Sequence, residues 1–236
     1  TRYEDMVLNQ GNAKGTFGAK NSSNEWTYNQ EVIYPFGYGS SYATFEESNF
    51  KVVEKNDSII CSCTIKNTSE TYSGKDVFQV YVQKPYTQYD KENGIEQSSV
   101  NLAAFAKTKL LKPGEQETLN VTIDKKDLAT YDANNKKTYI LEAGDYYISM
   151  GNGVHDALNN ILTKKGKGVA DGMDAEGDSS KAFLYQVAEE DDTTYSKSVT
   201  GEEITNRFDD VDINKYEGTS DQHVTYLSRN DWQGTY

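Results

Sequence analysis

The sequence is short of cysteine, histidine, positive charge and long apolar runs. It has 2 Cys and 2 His among 236 residues. Cys61 and Cys63 stand two apart in IICSCTIKN. On a strand, that spacing puts both on one face with Cβ atoms too far separated for an unstrained disulfide. A disulfide-stapled fold is excluded, and buried free thiols serving as small apolar groups are expected. His155 and His223 are the only histidines, so a Cys/His zinc site lacks ligands. No apolar run approaches the length of a helical membrane span. No signal-peptide pattern opens the chain, which begins Thr-Arg-Tyr without Met, as a processed or excised segment does. Lys and Arg total 24 against 37 Asp and Glu, a net charge of −13. That balance opposes binding to nucleic acid or anionic membranes. It leaves neutral partners such as glycans open. G-x-S-x-G and P-loop patterns are both missing, which removes those two routes to nucleophilic and phosphate chemistry.

What the chain does have is aromatic rings: 18 Tyr, 8 Phe and 2 Trp. These can build a core with little aliphatic help, because each buries a large area. Three zones follow. Residues 1–44 are irregular, with the Gly/Asn/Ser-rich GNAKGTFGAKNSSN, and bury too little to fold alone. Residues 45–152 alternate. Ile59, Cys61, Cys63 and Ile65 share a face, as do Leu119, Val121 and Ile123, and Tyr146, Ile148 and Met150. In KDVFQVYVQK, Phe78, Val80 and Val82 are expected inward and Gln79, Tyr81 and Gln83 outward. Period two with one polar face marks antiparallel strands packed on one side. Turn signals such as Lys112-Pro113-Gly114 and Ala143-Gly144-Asp145 separate them. About seven strands predict an immunoglobulin-like or fibronectin III-like β-sandwich. Tyr131 reads equally as a corner tyrosine bonded to the backbone or as a surface residue. In residues 153–236, Leu158, Ile161 and Leu162 with Gly166 predict one short helix over 156–166, and KAFLYQV a strand at 181–187. The rest reads as an extended C-terminal arm with isolated anchors: Phe208, Tyr216, Tyr226, Leu227 and Trp232. The fold class is mainly β.

YPFGYGSSYATF, residues 34–45, holds five aromatics and no charge. Tyr34, Phe36, Tyr38, Tyr42 and Phe45 are expected to plug the junction between two domains. Gly37 and Gly39 let the backbone pass close, and Pro35 sets the approach. The sharper alternative is that these rings line a sugar site.

This stretch resembles the signature that closes the α/β-sandwich domain of glycoside hydrolase family 3 enzymes. FKVVEKNDSIICSCTIKNTSETYSGKDVFQVYVQKP, LAAFAKTKLLKPGEQETLNVTIDKKDLATYD and LEAGDYYISMGN then resemble their fibronectin III-like domain. Ser40 and Ala43 depart from the family's Leu and Thr, which puts the tightness of the turn in question. The resemblance implies residues 1–44 as the end of an α/β-sandwich domain and 45–152 as the fibronectin III-like domain. It implies 153–236 as an arm leading to a barrel domain, as in members of inverted order. The implied parent is a retaining β-glucosidase-like enzyme. Its barrel and α/β-sandwich domains would be this segment's partners, and an oligosaccharide or glycoside the parent's substrate. No cofactor is implied.

Such an enzyme needs two carboxyl groups about 5–5.5 Å apart. The family's Asp nucleophile follows directly on a Ser. Ser228-Arg229-Asn230-Asp231-Trp232 fails that spacing and has no barrel strands around it, and Glu4 stands where the α/β sandwich would be ending, a catalytic acid there being the lesser reading. No catalytic residue is assigned here. Asp210, Asp212, Asn214 and Asp221 brush a calcium-loop template, but Lys215 replaces the sixth-position Gly and the last position lacks Glu. Asp171, Asp174, Glu176 and Asp178 match no better. N-x-S/T triplets at Asn21, Asn56, Asn67 and Asn120 are what chance yields in so Asn-, Ser- and Thr-rich a chain. The alternative function is a stand-alone carbohydrate-binding or cell-surface adhesion module. Little cysteine beside many Tyr, Asn and Ser leans towards a secreted or surface protein of a bacterium.

Overall fold

Alternation along the strands builds two facing sheets. The computed structural model describes residues 33–171, 173, 175–216, 224–226 and 228–230. The first sheet has the order β1-β2-β5, with β1 Phe45–Lys55, β2 Ser58–Asn67 and β5 Gln116–Asp124. The second has the order β4-β3-β8-β9, with β3 Val77–Gln83, β4 Asn101–Lys107, β8 Gly144–Met150 and β9 Ala182–Val187. All their pairings are antiparallel. A small hairpin of β6 Thr130–Asp132 and β7 Thr138–Ile140 lies between β5 and β8. The chain is thus mainly β, a fibronectin III-like sandwich.

The core is the one the alternation predicts. Ile59, Cys61, Cys63, Ile65, Phe78, Val80, Val121, Ile123, Tyr146, Ile148 and Met150 are buried in one cluster between the sheets. Both cysteines are free and buried. Burial pushes each thiol up to about 12, since a thiolate cannot be solvated there.

The outward face of β3 corrects the alternation argument. Tyr81 and Gln83 are buried, not solvated. Helix α2, Val154–Lys164, lies across that face, and Val154, Ala157, Leu158, Ile161 and Leu162 pack on Tyr81 and partly on Tyr147. The sheet is covered on both sides, and the polar tips survive by bonding locally. The Tyr81 hydroxyl donates to Gln79 Oε1 at 2.6 Å. Gln83 Nε2 donates to the Ser99 carbonyl at 2.9 Å.

A second helix, α1 Gln88–Asn93, has no apolar period to announce it. Its termini define it. Thr87 and Asp90 form a reciprocal capping box, and Gly94 at φ 64° ends it in the left-handed region.

The stretch after residue 152 does not all leave the sandwich. Strand β9 extends the second sheet beyond β8, from Gly144↔Val187 to Ser149↔Ala182. It faces β1 across the open side, where two polar clamps close the gap. Lys181 Nζ pairs with Glu47 Oε2 at 3.4 Å. Further along, the Tyr185 hydroxyl donates to Glu54 Oε1 at 3.4 Å, and Lys125 ion-pairs with the same carboxylate. Two edge strands that would each expose unpaired backbone are thereby held together.

The corner tyrosine is Tyr146. Its buried hydroxyl donates to the Glu142 carbonyl four residues upstream at 3.1 Å. Tyr131 instead bonds the Lys137 carbonyl at 3.3 Å within the β6–β7 hairpin and stacks edge-on against Tyr139. Among the described residues no helix is long and apolar enough to cross a membrane.

Candidate functional site

Residues 35–38 form a type II turn. The Tyr38 amide donates to the Pro35 carbonyl at 3.1 Å, and Gly37 sits at φ 85°. A positive φ at the third turn position calls for glycine. The turn's backbone is fastened to the sandwich. The Val154 amide, at the start of α2, donates to the Phe36 carbonyl at 2.9 Å. Gln79 Nε2 donates to the Gly37 carbonyl at 3.3 Å. Contact is so close that a Cβ on Gly37 would run into the Tyr81 hydroxyl, reach Gln79 Oε1 at 2.6 Å and Gly153 Cα at 3.0 Å.

Backbone docking leaves the rings outside. Exposure is 70% for Tyr34, 62% for Phe36, 56% for Tyr38 and 91% for Tyr42. Tyr34 and Tyr38 lie 4.8 Å apart, tilted by 43°, and Tyr42 lies 6.0 Å from Tyr72, tilted by 42°. Only the last part of the segment turns inward. Ala43 is buried and Phe45 packs against the core. Gly74 makes room for both, since a Cβ there would meet Ala43 Cβ at 2.8 Å and Phe45 Cζ at 3.0 Å. Gly39 needs no such space, with nothing within 4 Å of its would-be Cβ.

Carboxyl groups with displaced pKa values are the usual mark of acid–base chemistry. Among the described residues two carboxyl groups are raised furthest, Glu142 and Glu47, and the sequence pointed to neither. Glu142 is buried beside Asp90. Burial first, then the Asp90 charge, raises it to about 7. Asp90 is raised as well, chiefly by burial. Asp90 Oδ2 accepts from the Thr87 amide at 2.9 Å, and the Thr87 hydroxyl donates to Glu142 Oε1 at 2.9 Å. Asp90 Oδ1 is buried without a hydrogen-bond partner. Asp90 and Glu142 are both buried, and through Thr87 they tie the start of α1 to the residues before β8. Glu47 is likewise raised to about 7, chiefly by burial and against the pull of Lys181. The capping pattern Thr87-x-x-Asp90 and the lone acid in YILEAG were the legible traces of the first pair. Glu47 left none, because its partner lies 134 residues away.

In the arm, Phe208 and Tyr226 are exposed. The Tyr226 hydroxyl donates to Asp212 Oδ1 at 2.8 Å, and Asn214 exchanges bonds of 2.8 and 2.9 Å with the Val224 backbone. That Asp212 oxygen also accepts the Asn214 amide at 2.9 Å. The backbone at Tyr216 is in a short 3-10 turn. Leu227, Trp232 and Asp221 lie outside the described residues, as do Glu4 and Asp231. Among the described residues no group of three or more His, Cys, Asp or Glu could hold a metal ion. Glu176 accepts the Val169 amide at 3.0 Å and Asp178 caps Ser180.

Residues 76–154 match the family model described as "Fibronectin type III-like domain". The β-glucosidase of Kluyveromyces marxianus is 35% identical over 132 residues, covering 55% of this chain and 15% of that protein. β-Glucosidase A of Butyrivibrio fibrisolvens is 33% identical over 145 residues, covering 54% and 17%. A crystal structure of the K. marxianus enzyme in complex with glucose matches with a TM-score of 0.50 at 28% identity, covering 69% of this chain and 16% of that one. The chain thus spans only about a sixth of these relatives. Residues 76–154 are thus a fibronectin type III-like domain, and about half of the chain is similar to a short stretch of much longer β-glucosidases.

Proposed function

We propose that this chain is a non-catalytic structural portion of a family 3 glycoside hydrolase, bracing catalytic domains for hydrolysis of terminal β-linked sugars. In this reading residues 1–44 end an α/β-sandwich domain, 45–152 are the fibronectin III-like unit and 153–236 lead towards a barrel domain. Tyr34, Phe36, Tyr38 and Tyr42 are the plug that those domains cover, and the arm's aromatics are further anchors.

One observation carries this reading: four aromatic rings stand in solvent on and beside a turn whose backbone is hydrogen-bonded to the sandwich. Covering them removes on the order of 500 Å² of apolar surface. That is worth on the order of 10 kcal/mol before ordering costs. A rigid brace matters because two carboxyl groups on different domains must be held in a narrow geometry. The chain alone should not turn over an aryl β-glucoside, and robust hydrolysis would end the proposal. Phe36→Ser with Tyr38→Ser should leave the melting of the isolated chain unchanged yet lower the stability of the whole enzyme. Equal effects on both would also end it.

The stand-alone carbohydrate-binding reading asks for rings in a flat row. The tilts of 43° and 42° argue against one. Affinity electrophoresis in soluble polysaccharide separates the two readings, with retardation favouring the binding module.

A further inference from the structure

Asparagine followed by glycine occurs twice in the chain, at Asn93-Gly94 and Asn152-Gly153. Glycine has no Cβ to shield its amide nitrogen from the preceding side chain, and it lets the backbone turn towards that side chain. Asparagine in such a pair is chemically labile. The fold treats the two pairs in opposite ways.

Asn93 closes α1. Its Nδ2 donates to the Tyr89 carbonyl at 2.9 Å, and its carbonyl accepts from Asn134 Nδ2 at 2.7 Å. The Gly94 amide donates to the Asp90 carbonyl. Side chain and neighbouring nitrogen are both tied. Asn152 is exposed. Neither its side-chain amide nor the Gly153 N–H bonds to any group among the described residues. The Asn152 backbone amide is held instead, donating to Asp156 Oδ2 at 2.9 Å.

The free pair sits where the leading turn docks. Gly153 is the N-cap of α2, and the next amide, Val154, donates to the Phe36 carbonyl at 2.9 Å. A Cβ on Gly153 would meet that carbonyl oxygen at 3.2 Å, and one on Gly151 would lie 2.6 Å from the Ala157 nitrogen. Residues 151–153 therefore have no room for a longer main chain.

We propose that Asn152 is a site of spontaneous deamidation, and that its isoaspartyl product releases the leading turn from the sandwich. The Gly153 nitrogen gives up its proton to water or buffer base and attacks Asn152 Cγ. The bond from Cγ to Nδ2 breaks, and ammonia leaves with a proton returned from solvent. A five-membered succinimide closes. Water then adds to one of its two carbonyls. One opening gives aspartate on the original main chain. The other gives isoaspartate, whose main chain runs through Cβ and is longer by one carbon–carbon bond, about 1.5 Å. Water enters, ammonia departs and nothing is oxidised. The added length pushes Gly153 and the Val154 amide off the Phe36 carbonyl. The proposal goes beyond the bracing role and does not rest on it, since every group involved belongs to this chain.

The test is to age the whole chain in mildly alkaline buffer and follow both sites by peptide mapping and mass spectrometry. Asn152 should gain one dalton over days. Native Asn93 should react at least about tenfold more slowly, the worth of the hydrogen bonds that hold it. In denaturant the two should react alike. Gly153→Ala, which crowds the attacking nitrogen, should slow the reaction, and Asn152→Gln should abolish it. The isoaspartyl form, separated by chromatography, should exchange its Val154 amide faster than the native chain. Asn152→Asp has the same charge without the added length and should protect that amide as the native chain does. Three results overturn the proposal: Asn152 as durable as Asn93 in the native chain, a Val154 amide equally protected in the isoaspartyl form, or one equally exposed in Asn152→Asp.

Discussion

Replacing Gly37 by Ala tests the docking of the leading turn most directly. Two costs add. The residue stands at φ 85°, a conformation that costs an L side chain roughly 1–2 kcal/mol. The new methyl also collides with the hydroxyl of Tyr81, which is fully buried and cannot swing away. Moving it breaks the Tyr81–Gln79 bond, worth about 0.5–1.5 kcal/mol. The sum is about 1.5–3.5 kcal/mol, or roughly 3–14 °C in melting temperature for a unit of this size. Two neighbouring glycines serve as controls. Gly39→Ala meets nothing and should be silent. Gly153→Ala has an ordinary extended φ of 165° and meets only the Phe36 carbonyl at 3.2 Å, so its cost should be well under half as large. The assay is thermal unfolding together with hydrogen exchange at the Val154 amide, which the turn protects. If Gly37→Ala released the turn without loosening the sandwich, the melt would move less and the Val154 amide would still exchange faster. A Gly37→Ala chain that matches Gly39→Ala in both readouts refutes the reasoning.

Stability should fall as pH rises through about 7. Glu142 and Glu47 both rise from 4.5 to about 7, so the native state binds their protons more tightly; that advantage is complete below about 4.5 and lost above 7. A loss of about 1–3 kcal/mol between mildly acidic and mildly alkaline buffer is expected, allowing for partial screening. Glu142→Gln should remove part of the slope and Glu47→Gln with Glu142→Gln most of it, read from urea midpoints. Lys181→Met strands the Glu47 carboxylate and should cost about 1–3 kcal/mol at neutral pH and less in acid, where a proton replaces the lysine. Cys61 and Cys63, both raised to about 12, should ignore a thiol reagent in the native chain and react fully in denaturant; native reactivity would contradict their burial.

The strands were legible because a period of two is a local property. Any residue two positions along faces the same way, so Ile59, Cys61, Cys63 and Ile65 announce their face without reference to the rest of the chain. Helix α2 was legible for the same kind of reason, as was the need for glycine at Gly37. The leading rings announced a partner by being too apolar for solvent, but which way they point depended on how the turn docks. On the backbone's side the turn meets Gly153 and Gln79; on the other side the rings are left uncovered.

Alternation along β3 says that Tyr81 and Gln83 share a face, not whether a helix 70 residues later covers it. Strand β9 reads as a strand, yet nothing local says that it joins β8 and closes the sandwich against β1. The Glu47–Lys181 clamp and the buried Asp90–Glu142 carboxyl pair have the same origin. Sequence alone determined which residues prefer strand, helix or turn and which faces are apolar, because those preferences act within a few residues. Tertiary structure decided which faces meet and which charges lose their water, because burial and pairing depend on segments far apart in the chain.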